Sequence, residues 1–205
     1  MRSKFRKIKN SFASYWLIKR IRFGSLRSLN PVDRDFGFNL GTPIDRYYIE
    51  NFVSKHDNLI QGEVLEIGED SYTSKYAIND FNLNILHVDK KEGCLHADLE
   101  SGQGIPESAF DCIILTQTLP FLFDVKSAVS NVHRMLKPGG TVLATNPCIS
   151  QISRFDMDRW GDFWRFTSLS LRKLFEISFL KNQIEIESFG NSLTATCFIQ
   201  GIPAE

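Results

Sequence analysis

The chain has 205 residues, room for one globular domain with an appendage and too little for a two-domain enzyme. Its 42% hydrophobic and 23% charged content excludes a disordered chain. A formal net charge of zero, 24 bases against 24 acids, excludes a generally basic nucleic-acid binder.

The balance is uneven along the chain. Residues 1–32 hold nine bases (Arg2, Lys4, Arg6, Lys7, Lys9, Lys19, Arg20, Arg22 and Arg27) and no acid, so the body at 33–205 is acidic. In this basic arm Phe5, Ile8, Phe12, Tyr15 and Trp16 recur at helical spacing. An amphipathic basic segment of this kind can lie on an anionic membrane surface through residues 1–23, or pack on the domain or a second subunit. From Asn30 to Gly41 the text is turn-like. Thr42-Pro43-Ile44-Asp45 then reads as a helix start with a hydroxyl N-cap, and Ile44, Tyr48 and Phe52 share a face of that helix, which ends near His56.

Strand and helix patterns alternate after it. Val64 to Gly68 is a strand, Ser71 to Ile78 a helix, Asn84 to Val88 a strand ending at Asp89, and Cys94 to Leu99 a brief strand. Phe110 to Thr116 is a strongly apolar strand and Val125 to Leu136 a helix. Thr141 to Thr145 is a strand after the Lys137-Pro138-Gly139-Gly140 turn. Such alternation implies a parallel sheet with helices on both faces. Ligands of these sheets sit outside the carboxyl ends of the strands, where strand order reverses. Gly68 lets the backbone approach a ligand there, and Asp89, 21 positions later, suits a carboxylate that accepts hydrogen bonds from ribose hydroxyls. Glu69 and Asp70 stand where a dinucleotide fingerprint has glycines. Two carboxylates repel a pyrophosphate but accept a cofactor bearing a sulfonium and an amino group.

Cys94, Cys112, Cys148 and Cys197 have no Cys-x-x-Cys spacing, so we expect no disulfide framework and no zinc or other metal. No apolar run approaches the ~18 residues of a membrane span, and no secretory signal is evident, so we expect the chain in the cytoplasm, with peripheral contact at the inner face of the membrane as one of the alternatives for the arm. His87 reads as a strand histidine and His133 as a helix-surface residue, whereas His96 is a candidate base.

Gly62-Glu63-Val64-Leu65-Glu66-Ile67-Gly68, His87-Val88-Asp89, Ala97-Asp98-Leu99, Phe110-Asp111-Cys112-Ile113-Ile114-Leu115 and Leu136-Lys137-Pro138-Gly139-Gly140-Thr141-Val142-Leu143 resemble, in family order, a class I S-adenosylmethionine-dependent methyltransferase. More narrowly, Gly41-Thr42-Pro43-Ile44-Asp45-Arg46-Tyr47-Tyr48 and Asp158-Arg159-Trp160-Gly161-Asp162-Phe163-Trp164-Arg165-Phe166-Thr167 resemble a type 11-like bacterial subgroup whose relatives are often encoded beside, or fused to, glycosyltransferases. The resemblance implies S-adenosylmethionine as cofactor and S-adenosylhomocysteine as product. Glu66, Gly68 and Glu69 would line the turn under the methionine part, Asp89 would hold the ribose, Asp98 with the Leu99 backbone would address the adenine, and Gln117 and Thr118 would face the methyl donor. It implies a Rossmann-like α/β sandwich with a mostly parallel seven-stranded sheet, order 3-2-1-4-5-7-6. The last strand is antiparallel and comes from a hairpin of Ile184 to Glu187 with Thr194 to Ile199.

Residues Ser150 to Thr167 follow the fifth strand and suit a lid. There Asp158 or Asp162 can accept a proton, Trp160 and Trp164 can stack on a sugar ring or cover a sulfonium, and Arg159 or Arg165 can bind an anionic group. The same mixture also makes a packed, salt-bridged loop. Tyr47 is a further substrate-side candidate. The expected reaction is O-methylation of a small molecule, sugar or polysaccharide intermediate. A catalytically inactive binding partner of a glycosyltransferase and a nicotinamide-dependent oxidoreductase are the alternatives, and a homo-oligomer is compatible with each.

Overall fold

In parallel strands buried on both sides, the alternation of side chains decides which helix layer each residue meets. A computed structural model describes Gly24 and residues 28–204; the amphipathic arm pattern lies outside the described residues, and a compact unit begins at Val32. Five strands, β1 (Gly62–Ile67), β2 (Phe81–His87), β3 (Leu95–His96), β4 (Phe110–Thr116) and β5 (Leu136–Thr145), form one sheet in the order β3-β2-β1-β4-β5. Every pairing is parallel. Strand order therefore reverses between β1 and β4, the position a Rossmann-like sheet offers a ligand.

Helix α1 (Ile44–Lys55) covers one face: its Ile49 and Val53 pack with Val64, Cys112, Ile114 and Leu143. The intervening strand residues Leu65, Ile113 and Leu115 point the other way, into a cluster with Ala128, Val129, Val132 and Met135 of α3 (Val125–Met135) and Leu174 of α5 (Ser168–Phe175). Between these, α2 (Thr73–Tyr76) and α4 (Arg154–Met157) are single turns. Asp124 caps α3 by accepting the Ser127 N–H, and Thr167 with Ser170 forms a capping box on α5.

Three sequence expectations change. Helix α1 has Pro43, not Thr42, at its N-cap, with no side-chain cap, and its buried residues are Ile44, Ile49 and Val53, with Tyr48 and Phe52 half-buried. Lys137 to Gly140 is not a turn before β5 but an irregularity inside it: Phe110 pairs with Leu136 and Cys112 with Thr141, while Lys137 reaches back to Asp111 at 2.6 Å.

The third change is at the carboxyl end. The described sheet has five strands, and neither arm of the expected hairpin is a strand. Ser192–Gln200 is helix α6, because Asn191 accepts the Leu193 and Thr194 N–H groups in a capping box and Gly201 ends it at φ 66°. These local hydrogen bonds outweigh the strand preference of Thr194, Thr196 and Ile199, while Ile184 to Glu187 is irregular and joins no strand ladder among the described residues.

Gly201 also seats α6 on the turn at Asp33. Val32 and Asp33 donate to the Gln200 carbonyl, and a Cβ on Gly201 would stand 2.1 Å from the Asp33 carbonyl oxygen. We expect Gly201→Ala to cost about 2 kcal/mol or more, measured as a lower urea midpoint with an unchanged slope; an unchanged midpoint contradicts this packing.

Candidate active site

At the switch point the loop after β1 is shaped by one carboxylate. Glu66 is buried, and its Oε1 accepts the Ser71 and Tyr72 N–H groups, each at 2.9 Å, while its Oε2 accepts the Thr73 N–H at 2.8 Å and the Thr73 hydroxyl at 2.7 Å. It therefore folds the loop and is not free to touch a ligand itself. The chain turns away from the strand at Gly68, φ 92°, where a Cβ would meet nothing within 4 Å. An open space on the missing-Cβ side of a left-handed glycine is a place for a ligand to approach backbone. Glu69 and Asp70 remain exposed beside it, the first near the Ser71 hydroxyl (3.2 Å) and the second accepting the Ser74 N–H (3.1 Å).

Tyr72 ties this loop to α1. It is buried, Arg46 donates to its hydroxyl at 2.6 Å, and burial pushes its phenol up to about 12. Arg46 was not among the sequence candidates; only its place beside Tyr47 hinted at it. Tyr47 itself is exposed and meets Tyr48 edge-on.

At the end of β2 the Asp89 carboxylate is largely exposed, while its backbone N–H donates to His87 Nδ1 at 3.0 Å. This exposed carboxylate lies one strand from Gly68, with its Oδ2 3.9 Å from His87 Nδ1. The Asp98 carboxylate is hydrogen-bonded instead. It accepts the Glu100 N–H at 2.8 Å and the Ser101 hydroxyl at 2.7 Å; burial raises its carboxyl, but these hydrogen bonds outweigh burial and leave it below the usual range. Leu99 is buried, and its carbonyl accepts from Asn131 at 2.8 Å.

Gln117, directly after β4, has φ 48°. A non-glycine residue in this region is uncommon and marks a backbone held by its surroundings. Here the holding bond is the Gln117 N–H to the Thr145 carbonyl, 2.9 Å, which joins the ends of β4 and β5. Thr118 turns its hydroxyl onto the Thr116 carbonyl at 3.0 Å. Beside them lie two polar atoms missed in sequence reasoning, Thr145 Oγ1 and Asn146 Oδ1, both buried without a hydrogen-bond partner among the described residues. Their position at the carboxyl end of the fifth strand was the available signal.

The lid segment is stitched down over the β4 end. Phe163 and Trp164 N–H groups donate to the Pro120 carbonyl, the Trp164 indole donates to Leu122, and Phe166 N–H donates to Pro147. Within it Asp162 and Arg165 are a structural pair. Arg165 grips both Asp162 oxygens (2.5 and 2.9 Å) and also donates to the Gln151 and Trp164 carbonyls, while Ser153 N–H donates to Asp162. The Asp162 side chain is 1% exposed, and Arg165 holds its carboxyl well below the usual range. Neither is available as base or anion receptor.

Arg159 lies over the Phe155 ring at 3.4 Å and donates to the Phe155 carbonyl. Trp160 is 42% exposed, against Phe121 and Phe155. Asp158 is exposed and pairs with Arg154 at 3.3 Å. His96 is exposed on the edge strand β3, three strand steps from β4, about 14 Å at ordinary strand spacing, and so lies away from the β1–β4 opening. No group of three or more His, Cys, Asp or Glu among the described residues has the arrangement of a metal site.

Residues 64–144 match a family described as a methyltransferase domain. A ubiquinone/menaquinone biosynthesis C-methyltransferase (UbiE) of Francisella tularensis subsp. novicida is 30% identical over 98 residues, 46% of this chain and 34% of that protein. A probable polyketide synthase 10 of Dictyostelium discoideum is 28% identical over 71 residues, 35% of this chain and 3% of that one. The chain thus spans about a third or less of the length of these curated relatives. Among solved structures, the N-methyltransferase NodS of Bradyrhizobium japonicum with S-adenosyl-L-homocysteine aligns over 74% of this chain and 80% of its own, at 19% identity and TM-score 0.48. A SAM-dependent methyltransferase of Archaeoglobus fulgidus aligns over 77% and 86%, at 12% identity and TM-score 0.47. The matched segment runs from β1 to β5 and contains the turn at Gly68, Asp89 and Gln117.

Two outcomes follow from this geometry. Glu66→Gln replaces acceptor capacity by a donor facing three N–H groups, and we expect a loss of about 2–3 kcal/mol of stability with faster amide exchange at Ser71 to Thr73; unchanged exchange there contradicts the loop role. Asp162→Asn breaks a buried pair and should cost about 3 kcal/mol at neutral pH. Because the Asp162 pKa is lowered by folding, this stability is present above the unfolded carboxylate range and lost as pH falls through the folded value. The gap between variant and wild type in urea melts should therefore close in acid, and a constant gap would count against it.

Proposed function

We propose that the chain is an S-adenosylmethionine-dependent methyltransferase acting on a small-molecule or glycan acceptor. The observation that carries this reading is the open, left-handed Gly68 turn at the β1–β4 switch point, flanked by the exposed carboxylates of Asp89, Glu69 and Asp70. When bound, S-adenosylmethionine supplies a methyl group on a sulfonium, which an acceptor lone pair takes while the C–S electron pair stays on sulfur. In this reading the Gly68 backbone receives the methionine part, Asp89 accepts from the ribose, the Leu99 backbone borders the adenine, and Gln117 and Thr118 face the methyl. The exposed carboxylates Glu69 and Asp70 favour a cationic donor over a pyrophosphate.

The finer reading, O-methylation of a sugar or polysaccharide intermediate beside a glycosyltransferase partner, is supported by the subgroup resemblance and by the half-exposed Trp160 face on which a sugar ring can stack. A sugar hydroxyl must give up its proton. Of the three candidate bases, Asp158 is the one in the lid with an exposed carboxylate, since Asp162 is locked by Arg165 and His96 lies at the sheet edge. Asp158 is therefore the proposed base. A lid held down over acceptor and donor aligns them and excludes water, which is most of what in-line transfer requires.

Calorimetric titration of the full chain tests the donor site. S-adenosylhomocysteine should bind, NAD should not, and Asp89→Asn should weaken the former by about tenfold. Absence of heat with S-adenosylhomocysteine, or equal binding by the variant, contradicts the assignment.

A further inference from the structure

We infer that Thr145 and Asn146 receive the acceptor, and that they select one whose reacting atom carries a hydrogen, a hydroxyl or an amine. This rests on the methyl-transfer reading for the identity of the reaction, but the pairing of the two side chains with a hydrogen-bond donor is a separate claim. Thr145 Oγ1 and Asn146 Oδ1 are buried and unpartnered among the described residues. Leaving such atoms unpaired costs about 1–3 kcal/mol each, so two on consecutive residues point to a partner that the fold does not itself supply.

Their place identifies what would use them. The proposed donor site runs across the ends of β2, β1 and β4, from Asp89 through Gly68 to Gln117, and β5 is the next strand. The Gln117 N–H to Thr145 carbonyl bond puts the two residues immediately beyond the methyl end, under the lid that Phe166 pins to Pro147. A molecule reaching the methyl from the side away from the ribose meets this pair.

The chemistry of the pair narrows the acceptor. An amide oxygen only accepts, whereas a threonine hydroxyl can accept or donate. A bound O–H or N–H satisfies Asn146 Oδ1, while a carbon acid, thioether or tertiary amine leaves it orphaned. The guanidinium of Arg165 is spent on Asp162 and on the Gln151 and Trp164 carbonyls, so it does not compete for the acceptor. The lid presents the exposed ring of Trp160, while Arg159 lies over the Phe155 ring.

The test uses the full chain and the double variant Thr145→Val with Asn146→Leu. Because the replaced atoms bond to nothing, the variant should melt no lower than wild type; a fall of more than about 4 °C shows that they hold the fold and overturns the inference. S-adenosylhomocysteine should bind both proteins within about twofold, and a tenfold weakening would move the pair to the donor side and overturn it. Matched probes then read the hydrogen directly by ligand-observed NMR: phenol against anisole, cyclohexanol against methoxycyclohexane, aniline against N,N-dimethylaniline. Wild type should prefer the hydrogen-bearing member of at least one pair by about fivefold or more, and the variant should lose that preference. Equal binding, no detectable binding of any member, or a preference that survives in the variant overturns it. If wild type shows the preference yet binds no S-adenosylhomocysteine, the methyl-transfer reading fails and the hydrogen-bonding pair stands.

Discussion

Four hydrogen bonds to the Glu66 carboxylate hold the centre of this molecule in shape. A buried carboxylate is expensive unless every lone pair is used, and here the cost is offset by three loop N–H groups and one hydroxyl. The loop that results has no glycine after Gly68, yet it still turns tightly enough to leave the Gly68 side open. Tyr72 carries the constraint outward: its N–H is bound by Glu66 and its hydroxyl by Arg46, so α1 and the first βα loop form one mechanical unit. Glycines are not needed at 69 and 70 in this arrangement, because Glu66 does by hydrogen bonding to Ser71, Tyr72 and Thr73 what extra glycines do by conformational freedom.

The lid obeys a second electrostatic constraint. Asp162 and Arg165 neutralise one another inside it and pin Ser153 and Gln151. That removes the most chemically suggestive pair from the reaction and leaves the exposed Asp158, the Trp160 face and the polar ends of β4 and β5. The division between groups that build and groups that remain exposed is what gives the site its direction, with the Asp89 carboxylate at one end and Thr145 and Asn146 at the other.

Much of this was legible in the residues. The five strands were legible as apolar segments alternating with helix patterns, ending near Gly68, Asp89 and Thr116, and the family resemblance implied the order 3-2-1-4-5 that the sheet shows. The carboxyl end was misread because Ser192 to Gln200 is rich in Thr and Ile, whose strand preference is weaker than a capping box at Asn191 and a left-handed Gly201. Asp162 and Arg165 looked like site residues because charge and aromatic content do not reveal pairing; only the fold shows that three residues of separation close into a two-pronged bond. Charge alone does not reveal, either, that the Asp98 carboxylate accepts from the Glu100 N–H and the Ser101 hydroxyl. Thr145 and Asn146 went unseen because no motif distinguishes a buried hydroxyl that lacks a partner from one that has one.

The central claim is that a donor lies across Gly68 between Asp89 and Gln117, over a loop fastened by Glu66. Hydrogen–deuterium exchange of the full chain with and without S-adenosylhomocysteine addresses it directly. The account predicts slowed exchange in the segments around Glu66 to Thr73, Asp89, Leu99 and Gln117, with little change at Ser192 to Gln200. Unchanged exchange across those segments in the presence of excess ligand, or protection confined to another face of the molecule, would contradict it.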